Sequence, residues 1–154
     1  MQTIRPASAD DAARVARIYV DSWNAGFGDL MPTAVLDDAR ITRWAGELST
    51  GNWWVAERDD TIAGFTGICL SRDPLDAQLG ELDTIAVDPL YWRTGVGTAL
   101  MRKALEELAG IYPEAILWTL AGYPQGQRFY ESTGWTPDGN TRDNGHQVSY
   151  RRRF

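Results

Sequence analysis

Residues 83–100 read DTIAVDPLYWRTGVGTAL, and this stretch decides the fold. An apolar strand ends at Pro89, a short loop carries Gly95 and Gly97, and an amphipathic helix follows directly. The first amides of a helix have no partner in a preceding turn, and the helix dipole is positive at that end. The sequence therefore predicts a binding place for a phosphate-bearing ligand where this strand ends.

Composition limits the class of protein. A chain of 154 residues fits one compact domain, and 44% apolar residues indicate a globular fold. The net charge of −6 argues against a nucleic-acid partner, because binding phosphates requires a basic surface, and suits a cationic substrate such as an amine. No apolar run reaches the roughly 20 residues of a membrane helix, and no signal peptide precedes the first strand. We therefore expect a cytoplasmic protein without a membrane partner.

Few residues suggest metal binding or covalent catalysis. Cys69 is the single cysteine and lies in an apolar run, which favours a buried structural thiol over a nucleophile. His146 is the single histidine and lacks a neighbouring cluster of ligands, so no metal is expected. The basic run Arg151-Arg152-Arg153 is interpreted as the solvated end of the last strand.

Hydrophobic periodicity predicts the order β-α-α-β-β-β-α-β-α-β-β in one domain. Strands are expected at residues 3–7, 52–58, 61–70, 81–87, 115–120 and 146–154, with another extended piece from Trp135. Helices are expected at residues 9–23, 97–109 and 125–133, and in two pieces between 32 and 48. Asp59-Asp60 predicts a hairpin turn, residues 71–80 a polar loop, and residues 137–145 a turn-rich connection.

Two motifs in this order resemble the GNAT N-acetyltransferase superfamily. Residues 87–97, VDPLYWRTGVG, resemble its acyl-CoA loop V-D-P-x-Y-[QR]-x-x-G-x-[GA], and residues 128–135, RFYESTGW, resemble its R-F-Y-E-x-x-G-F element. The resemblance implies a single acetyltransferase domain over residues 1–154. Its implied fold class is α/β (α+β): a central mixed, mostly antiparallel sheet with a splayed parallel strand pair, flanked by helices.

The resemblance also implies acetyl-CoA as co-substrate, with no metal. The residues that it places on coenzyme A are Ile85, Ala86 and Val87 for the pantetheine arm, Arg93, Thr94, Gly95, Val96, Gly97 and Thr98 for the diphosphate, and Tyr123 after the strand at 115–120. The two glycines allow close approach of the backbone and a positive φ where one is needed. The sequence departs from the family pattern at Trp92, where Gln or Arg is usual, at Tyr123, where Asn is frequent, and at Gly126, where Ala is frequent.

Acetylation of an amine requires two proton movements. An amine of pKa near 10 is only about 0.1% neutral at pH 7, so a base must remove its proton. Tyr130 matches the family's tyrosine that protonates the leaving sulfur, and Glu81 matches the spacing of its general-base glutamate. Asp83 lies two residues further on the same strand face and offers a second carboxylate. Whether Glu81, Asp83 or a water chain acts as base stays open, while Trp23 and Phe27 border the segment that usually covers the acceptor.

The sequence therefore predicts an N-acetyltransferase in which a primary amine, on a small molecule or a peptide, attacks acetyl-CoA directly in a ternary complex. The alternative is a module of the same fold that binds acyl-CoA without catalysis. An oxidoreductase that binds a dinucleotide is disfavoured, because the glycine loop lacks the third glycine. A homodimer is common in the family and stays open here.

Overall fold

The computed structural model describes residues 2–154, and its elements follow the predicted order. The strands are β1 (Gln2–Pro6), β2 (Trp53–Arg58), β3 (Thr61–Arg72), β4 (Leu75–Val87), β5 (Glu114–Leu120), β6 (Thr136–Arg142) and β7 (Gln147–Arg153). The α-helices are α1 (Ala12–Phe27), α2 (Asp38–Leu48), α3 (Val96–Ala109) and α4 (Pro124–Ser132). Short 3₁₀ turns at Ala9–Asp11 and Pro89–Tyr91 precede α1 and the glycine loop.

The described strands form a sheet in the order β1-β2-β3-β4-β5-β7-β6. The pairs β1–β2, β2–β3, β5–β7 and β6–β7 are antiparallel, whereas β4 and β5 are parallel. The parallel ladder joins residues 79–81 to residues 114–116 and ends at the pair Glu81–Ile116, although β5 continues to Leu120. This mixed, mostly antiparallel sheet with a splayed parallel pair confirms the predicted fold class.

Two predicted loops are strands instead. Residues 71–80 are not a polar loop, because β3 extends to Arg72 and β4 already begins at Leu75. Residues 137–145 are not mainly turns, because β6 runs to Arg142 and only a short turn separates it from β7. Proline and glycine are tolerated in β6 because it is an edge strand with a bulge in its pairing to β7.

Two predicted helix boundaries are also wrong. The first helix does not end at Trp23 but continues to Phe27, and the two rings meet edge to face with centroids 5.0 Å apart. The second begins only at Asp38, after the Asp37 side chain accepts a hydrogen bond from the Arg40 amide. The preceding chain is held outside the helix because the Asn24 side chain bonds both backbone groups of Ala34.

The chain divides into two compact units, and the first comprises residues 2–67 and 84–104. Its core contains Ile18, Trp53 and Phe65, and the Trp44 ring packs edge-on against both aromatic rings. A second cluster forms where α3 meets the sheet at Gly64. A Cβ at Gly64 would lie 2.8 Å from the Ala86 carbonyl oxygen, so only glycine permits this approach.

The second unit comprises residues 68–83 and 105–154. Its fully buried apolar side chains include Leu79, Leu108, Ile116 and Leu117. Gly80 fits against the Tyr112 ring, because a Cβ there would lie 2.4 Å from a ring carbon. Successive residues of a strand face opposite sides of the sheet, and a Cβ at Gly80 would face Tyr112, so the Glu81 side chain points to the other face.

Within residues 2–154, no helix is both long enough and apolar enough to cross a membrane.

A carboxylate stabilises the start of α1. Asp11 is 8% exposed and accepts two hydrogen bonds from the Arg5 guanidinium, at 2.8 and 2.9 Å. The Ser8 amide donates to the same carboxylate at 2.9 Å, which closes the turn before the helix. The hydrogen bonds from Arg5 are the main reason that the pKa of Asp11 is lowered.

We expect Asp11→Asn to lower the free energy of unfolding by about 1–3 kcal/mol at pH 7, because the buried Asp11 carboxylate loses its charge-assisted hydrogen bonds with Arg5. A carboxylate whose pKa is lowered by folding stabilises the protein at pH values above its unfolded-state pKa. That contribution to stability is lost as the pH falls through the folded-state pKa. Chemical denaturation at pH 7 and in acid measures the difference, which should become smaller as the pH falls through the folded-state pKa of Asp11. The exposed pair Arg17–Asp21 provides the control, Asp21→Asn, with a much smaller effect. An equal Asp11→Asn effect at both pH values contradicts this assignment.

Candidate active site

The glycine loop of the first unit is anchored by Asp88, which is 5% exposed. One carboxylate oxygen of Asp88 accepts from the Leu90 amide at 3.0 Å, and the other pairs with the Arg14 guanidinium at 2.6 Å. The Asp88 amide donates to the Ala63 carbonyl oxygen at 2.8 Å. Because three elements hold this one residue, the chain leaves β4 in a fixed direction.

The loop turns sharply at two positions with left-handed backbone. Arg93 has φ 61° and Gly95 has φ 92°, and Arg58 braces the turn by donating to the Thr94 carbonyl oxygen at 3.1 Å. Gly97 does not take a positive φ, because it lies in the first turn of α3. Besides Gly95, Arg93 adopts the left-handed backbone conformation, which is uncommon for residues other than glycine.

The start of α3 leaves its first backbone amides without an acceptor in a preceding helical turn. The first hydrogen bond into the helix runs from the Ala99 amide to the Gly95 carbonyl oxygen at 3.1 Å. The amides of Val96, Gly97 and Thr98 come earlier in the helix and have no acceptor in a preceding turn. Gly95 and Thr98 are exposed. An anion is stabilised at such a place by the amides and by the helix dipole together.

The Trp92 indole does not block this loop. Its N–H donates to the Val87 carbonyl oxygen at 2.8 Å, which directs the ring back along the end of β4. The space over Gly95 is open, since a Cβ placed there would meet nothing within 4 Å. A carbonyl oxygen has two lone pairs, so Val87 retains acceptor capacity for a second partner.

Tyr130 lies on α4 in the second unit and is half-buried. Desolvation of its hydroxyl raises the pKa of Tyr130 to about 12, with a smaller increase from Tyr123. A hydrogen bond with the Thr119 side chain partly opposes that increase. The ring packs beside Tyr150 with centroids 6.1 Å apart. Such a hydroxyl stays protonated at neutral pH and can act as a proton donor.

Tyr123 and Gly126 are two departures from the family pattern that fit each other. Tyr123 occupies the position before α4, and burial raises the pKa of its hydroxyl. A Cβ at Gly126 would lie 2.6 Å from a ring carbon of Tyr123. The larger side chain at position 123 therefore requires the smaller residue at position 126.

Glu81 and Asp83 lie in one cluster of charged side chains with Arg72 of β3. The Arg72 Nη2 atom lies 2.7 Å from Glu81 Oε2 and 3.6 Å from Asp83 Oδ2. Glu81 is buried, whereas the Asp83 side chain retains 22% exposure. This brings both predicted carboxylates together and adds a guanidinium that the sequence analysis missed.

Cys69 borders the same cluster and is half-buried rather than fully buried. Burial raises the pKa of the Cys69 thiol to about 12, and the nearby charges of Asp83 and Glu81 add to the increase. A thiol with this pKa supplies almost no thiolate at neutral pH, so it is a poor nucleophile. Among residues 2–154, no group of three or more His, Cys, Asp or Glu side chains is arranged to hold a metal ion.

Trp23 and Phe27 lie on α1 in the first unit, and both are half-buried. With Tyr19 they form a row at four-residue spacing, in which Tyr19 and Trp23 stack with centroids 5.9 Å apart. The Trp23 indole donates to the Pro32 carbonyl oxygen at 3.1 Å, which fixes its orientation. Because the Trp23 indole is held by this hydrogen bond and the rings are partly accessible, the row can form one wall of a binding site.

The predicted site residues fall into both units. The first unit contains Trp23, Phe27, Ile85, Ala86, Val87, Arg93, Thr94, Gly95, Val96, Gly97 and Thr98, and the second contains Glu81, Asp83, Tyr123 and Tyr130. No sequence spacing links Arg14 to its partner Asp88, which is 74 positions away, so this contact leaves no signal in the sequence. Arg72 contacts Glu81 from the neighbouring strand β3, through its backbone amide and its guanidinium.

Comparison with known proteins gives the same family as the motifs. The family model described as the acetyltransferase (GNAT) family matches residues 12–135. That span includes the glycine loop, β5 and α4 with Tyr130.

Individual relatives are also described as N-acetyltransferases. An N-acetyltransferase of Archaeoglobus fulgidus that carries the description uncharacterized is 30% identical over 132 residues, covering 84% of this chain and 89% of that protein. YuaI of Bacillus subtilis, described in the same way, is 26% identical over 112 residues, which are 70% of this chain. The matched region spans 65% of the length of YuaI. The crystal structure of the PaiA N-acetyltransferase from Thermoplasma acidophilum in complex with coenzyme A has a TM-score of 0.75 at 18% identity, covering 100% of this chain and 99% of that chain.

The contact between Tyr123 and Gly126 can be tested with a double-mutant cycle. We expect Gly126→Ala to destabilise the parent protein by about 1–2 kcal/mol, because the added methyl overlaps the Tyr123 ring. In a Tyr123→Asn background the same change should be neutral or stabilising by up to about 1 kcal/mol, through helix propensity. Thermal and chemical unfolding of the four proteins measure the coupling. An identical Gly126→Ala effect in both backgrounds would show that the ring does not restrict position 126.

Proposed function

The chain belongs to the acetyltransferase (GNAT) family, and from that membership we propose that it is an N-acetyltransferase that transfers an acetyl group from acetyl-CoA to a primary amine. The observation that carries the proposal is the anchored loop at the start of α3, where the space over Gly95 is open and a hydrogen bond into the helix runs from the Ala99 amide to Gly95, within the matched region. We extend the proposal to residues 1–154 as a single acetyltransferase domain.

The residues of this loop fit a diphosphate. The amides before Ala99 supply donors, the exposed Arg93 supplies positive charge, and Gly95 leaves room for close approach. In this proposal the ligands of coenzyme A are Ile85, Ala86 and Val87 on the strand, Arg93, Thr94, Gly95, Val96, Gly97 and Thr98 around the loop, and Tyr123 before α4. The bound co-substrate supplies the acetyl group as a thioester.

The two proton movements are assigned to different groups of the second unit. The Tyr130 hydroxyl, with its pKa of about 12, donates a proton to the departing sulfur. The carboxylates of Glu81 and Asp83 provide the base for the amine. Because one group is a neutral hydroxyl and the others are carboxylates, acid and base coexist at the same pH.

The acceptor is proposed to be a primary amine on a small molecule or a peptide. The net charge of −6 favours a cationic acceptor over an anionic one through long-range attraction. Trp23 and Phe27 offer half-buried aromatic surface against which the uncharged part of the acceptor can pack.

A second candidate is a module that binds acyl-CoA without turnover. One observation favours it: Glu81, the residue whose spacing matches the family's base, is buried and paired with the exposed guanidinium of Arg72. A carboxylate held in this way is a poor proton acceptor for a substrate. The two candidates differ in whether an amine causes release of free coenzyme A.

The experiment is a calorimetric titration with acetyl-CoA, followed by an assay of free thiol with a panel of primary amines. We expect binding, and thiol release with at least one amine. No heat with millimolar acetyl-CoA contradicts the proposed ligand. Binding without thiol release for any amine favours the non-catalytic module.

Tyr130→Phe tests the proton donor. We expect this variant to lower kcat by about 100-fold, the usual contribution of general acid–base catalysis, with an unchanged Kd for acetyl-CoA. Since the pKa of Tyr130 is raised to about 12, the parent should show no loss of activity from its ionisation below pH 10. Tyr112→Phe, at a tyrosine that packs on Gly80, serves as the matched control. A Tyr130→Phe variant with the parental kcat would remove Tyr130 from the mechanism.

A further inference from the structure

A cavity of about 500 Å³ lies in the second unit, and none of its lining residues belongs to the proposed active site. We propose that this cavity binds a small molecule through one anionic group, a carboxylate or a phosphate, and that Arg152 pairs with that group. Most of the lining residues follow residue 135, where the match to the family model ends. The family match therefore does not account for the cavity.

The two carboxylates that line the cavity are already paired. Glu114 Oε1 lies 2.8 Å from Arg151 Nη1, and Glu114 Oε2 lies 3.0 Å from Arg153 Nε. Asp138 Oδ2 lies 3.2 Å from Arg151 Nε, and the Ser149 hydroxyl donates to Asp138 Oδ1 at 2.6 Å. Three guanidinium groups line the cavity, so the two carboxylates leave one positive charge unbalanced.

The unbalanced charge is that of Arg152, which is half-buried rather than part of a solvated strand end. None of the ion pairs described within residues 2–154 includes Arg152. A guanidinium has five N–H donors, and the one side-chain hydrogen bond described for Arg152 runs from Nη1 to the Thr133 carbonyl oxygen at 3.3 Å. Its Nε atom is buried without a hydrogen-bond partner in this part of the chain. A partly desolvated charge with so few partners suits an anion from outside the chain.

The turn after α4 fixes the position of Arg152. Gly134, which also lines the cavity, has φ 97°, and a Cβ there would lie 1.8 Å from Arg152 Nη1. Only glycine leaves room for the guanidinium at this position. Because the side chain is already held, binding an anion does not require ordering a long flexible group. With Nε buried, the Nη nitrogens are the donors proposed for the anion.

The structural alternative is that Arg152 only caps α4. The Thr133 carbonyl oxygen lies at the end of that helix, where the dipole favours a cation. Capping requires a positive charge and one N–H donor, both of which lysine supplies. Bidentate binding of a carboxylate or phosphate requires the planar fork of arginine. Arg152→Lys therefore separates the two roles.

The cavity also limits the kind of ligand. One unbalanced positive charge pairs with one anionic group. Thr136 and Asn140 are exposed, line the cavity and offer neutral hydrogen-bonding groups. A volume of about 500 Å³ is in the range of small-molecule sites, so it admits more than an inorganic ion. We therefore expect a small polar molecule with a single carboxylate or phosphate rather than a polyanion.

The test is a nuclear magnetic resonance titration of the ¹⁵N-labelled chain at pH 7, read at the Arg152 Nε–H group and at the backbone amides of residues 138–140 and 151–153. The probes are sodium acetate and sodium phosphate, each compared with sodium chloride at equal ionic strength. We expect saturable shifts in the millimolar range with at least one probe and not with chloride. A response to acetate alone assigns a carboxylate ligand, and a response to phosphate alone assigns a phosphate. Phosphate shifts at residues 95–98 report the loop of the first unit and are fitted separately.

The same titration is repeated with Arg152→Gln, Arg152→Lys and a control, Arg17→Gln, at an exposed arginine paired with Asp21. We expect both Arg152 variants to raise the Kd of the active probe by about tenfold or more, because the bidentate charge-assisted contact is lost. Arg17→Gln should stay within about twofold of the parent. Circular dichroism checks the fold of each variant, and if Arg152→Gln does not fold, Arg152→Lys decides.

The absence of saturable shifts with either probe in the parent, or equal shifts with chloride, overturns this proposal. Parental affinity in Arg152→Lys also overturns it, since Arg152 would then be a cap of α4 only. A failure of the parent to bind acetyl-CoA overturns the proposed function and leaves this proposal standing, because the cavity shares no residue with the proposed active site.

Discussion

The buried Asp88 carboxylate is the contact on which the candidate site depends. It joins the end of β4 to Arg14 of α1 and caps the turn before the loop, while its own amide bonds to β3. A strand end held from three sides gives the loop a fixed starting direction. The left-handed turn at Gly95 then brings the chain into α3, whose first amides have no acceptor in a preceding turn. Preorganised donors of this kind bind an anion without first ordering the backbone.

Close packing completes this geometry in the first unit. Gly64 lets α3 approach the sheet, since a Cβ there would also lie 2.9 Å from the Leu100 side chain. The helix start is therefore held by the core as well as by the loop. In the second unit, proton donor and proton acceptors are separated by environment. The Tyr130 hydroxyl is desolvated on α4, whereas the carboxylates of β4 lie beside the Arg72 guanidinium. Both features use ordinary residue types, and their reactivity comes from burial and neighbouring charges.

Much of the fold follows from the sequence, because the apolar periods of α1, α3, β2 and β5 are strong and local. The glycine loop is also predictable, since its turn, its proline and the helix start lie within one short stretch. The beginning of β4 was missed because Asp76 and Gln78 are polar and exposed, and strand formation there comes from pairing rather than propensity. That error also concealed the contact between Arg72 of β3 and Glu81 of β4. Partners distant in sequence, such as Arg14 and Asp88, leave no local pattern.

The central claim is that main-chain amides at the start of α3 bind the diphosphate of coenzyme A. The most direct measurement is the change of backbone amide chemical shifts in nuclear magnetic resonance spectra as coenzyme A is added to ¹⁵N-labelled protein. This account predicts the largest, saturable changes at the amides of residues 95–98, with downfield proton shifts as they gain an anionic acceptor. Unchanged amide shifts at residues 95–98 under millimolar coenzyme A, or saturable changes confined to other segments, would contradict it.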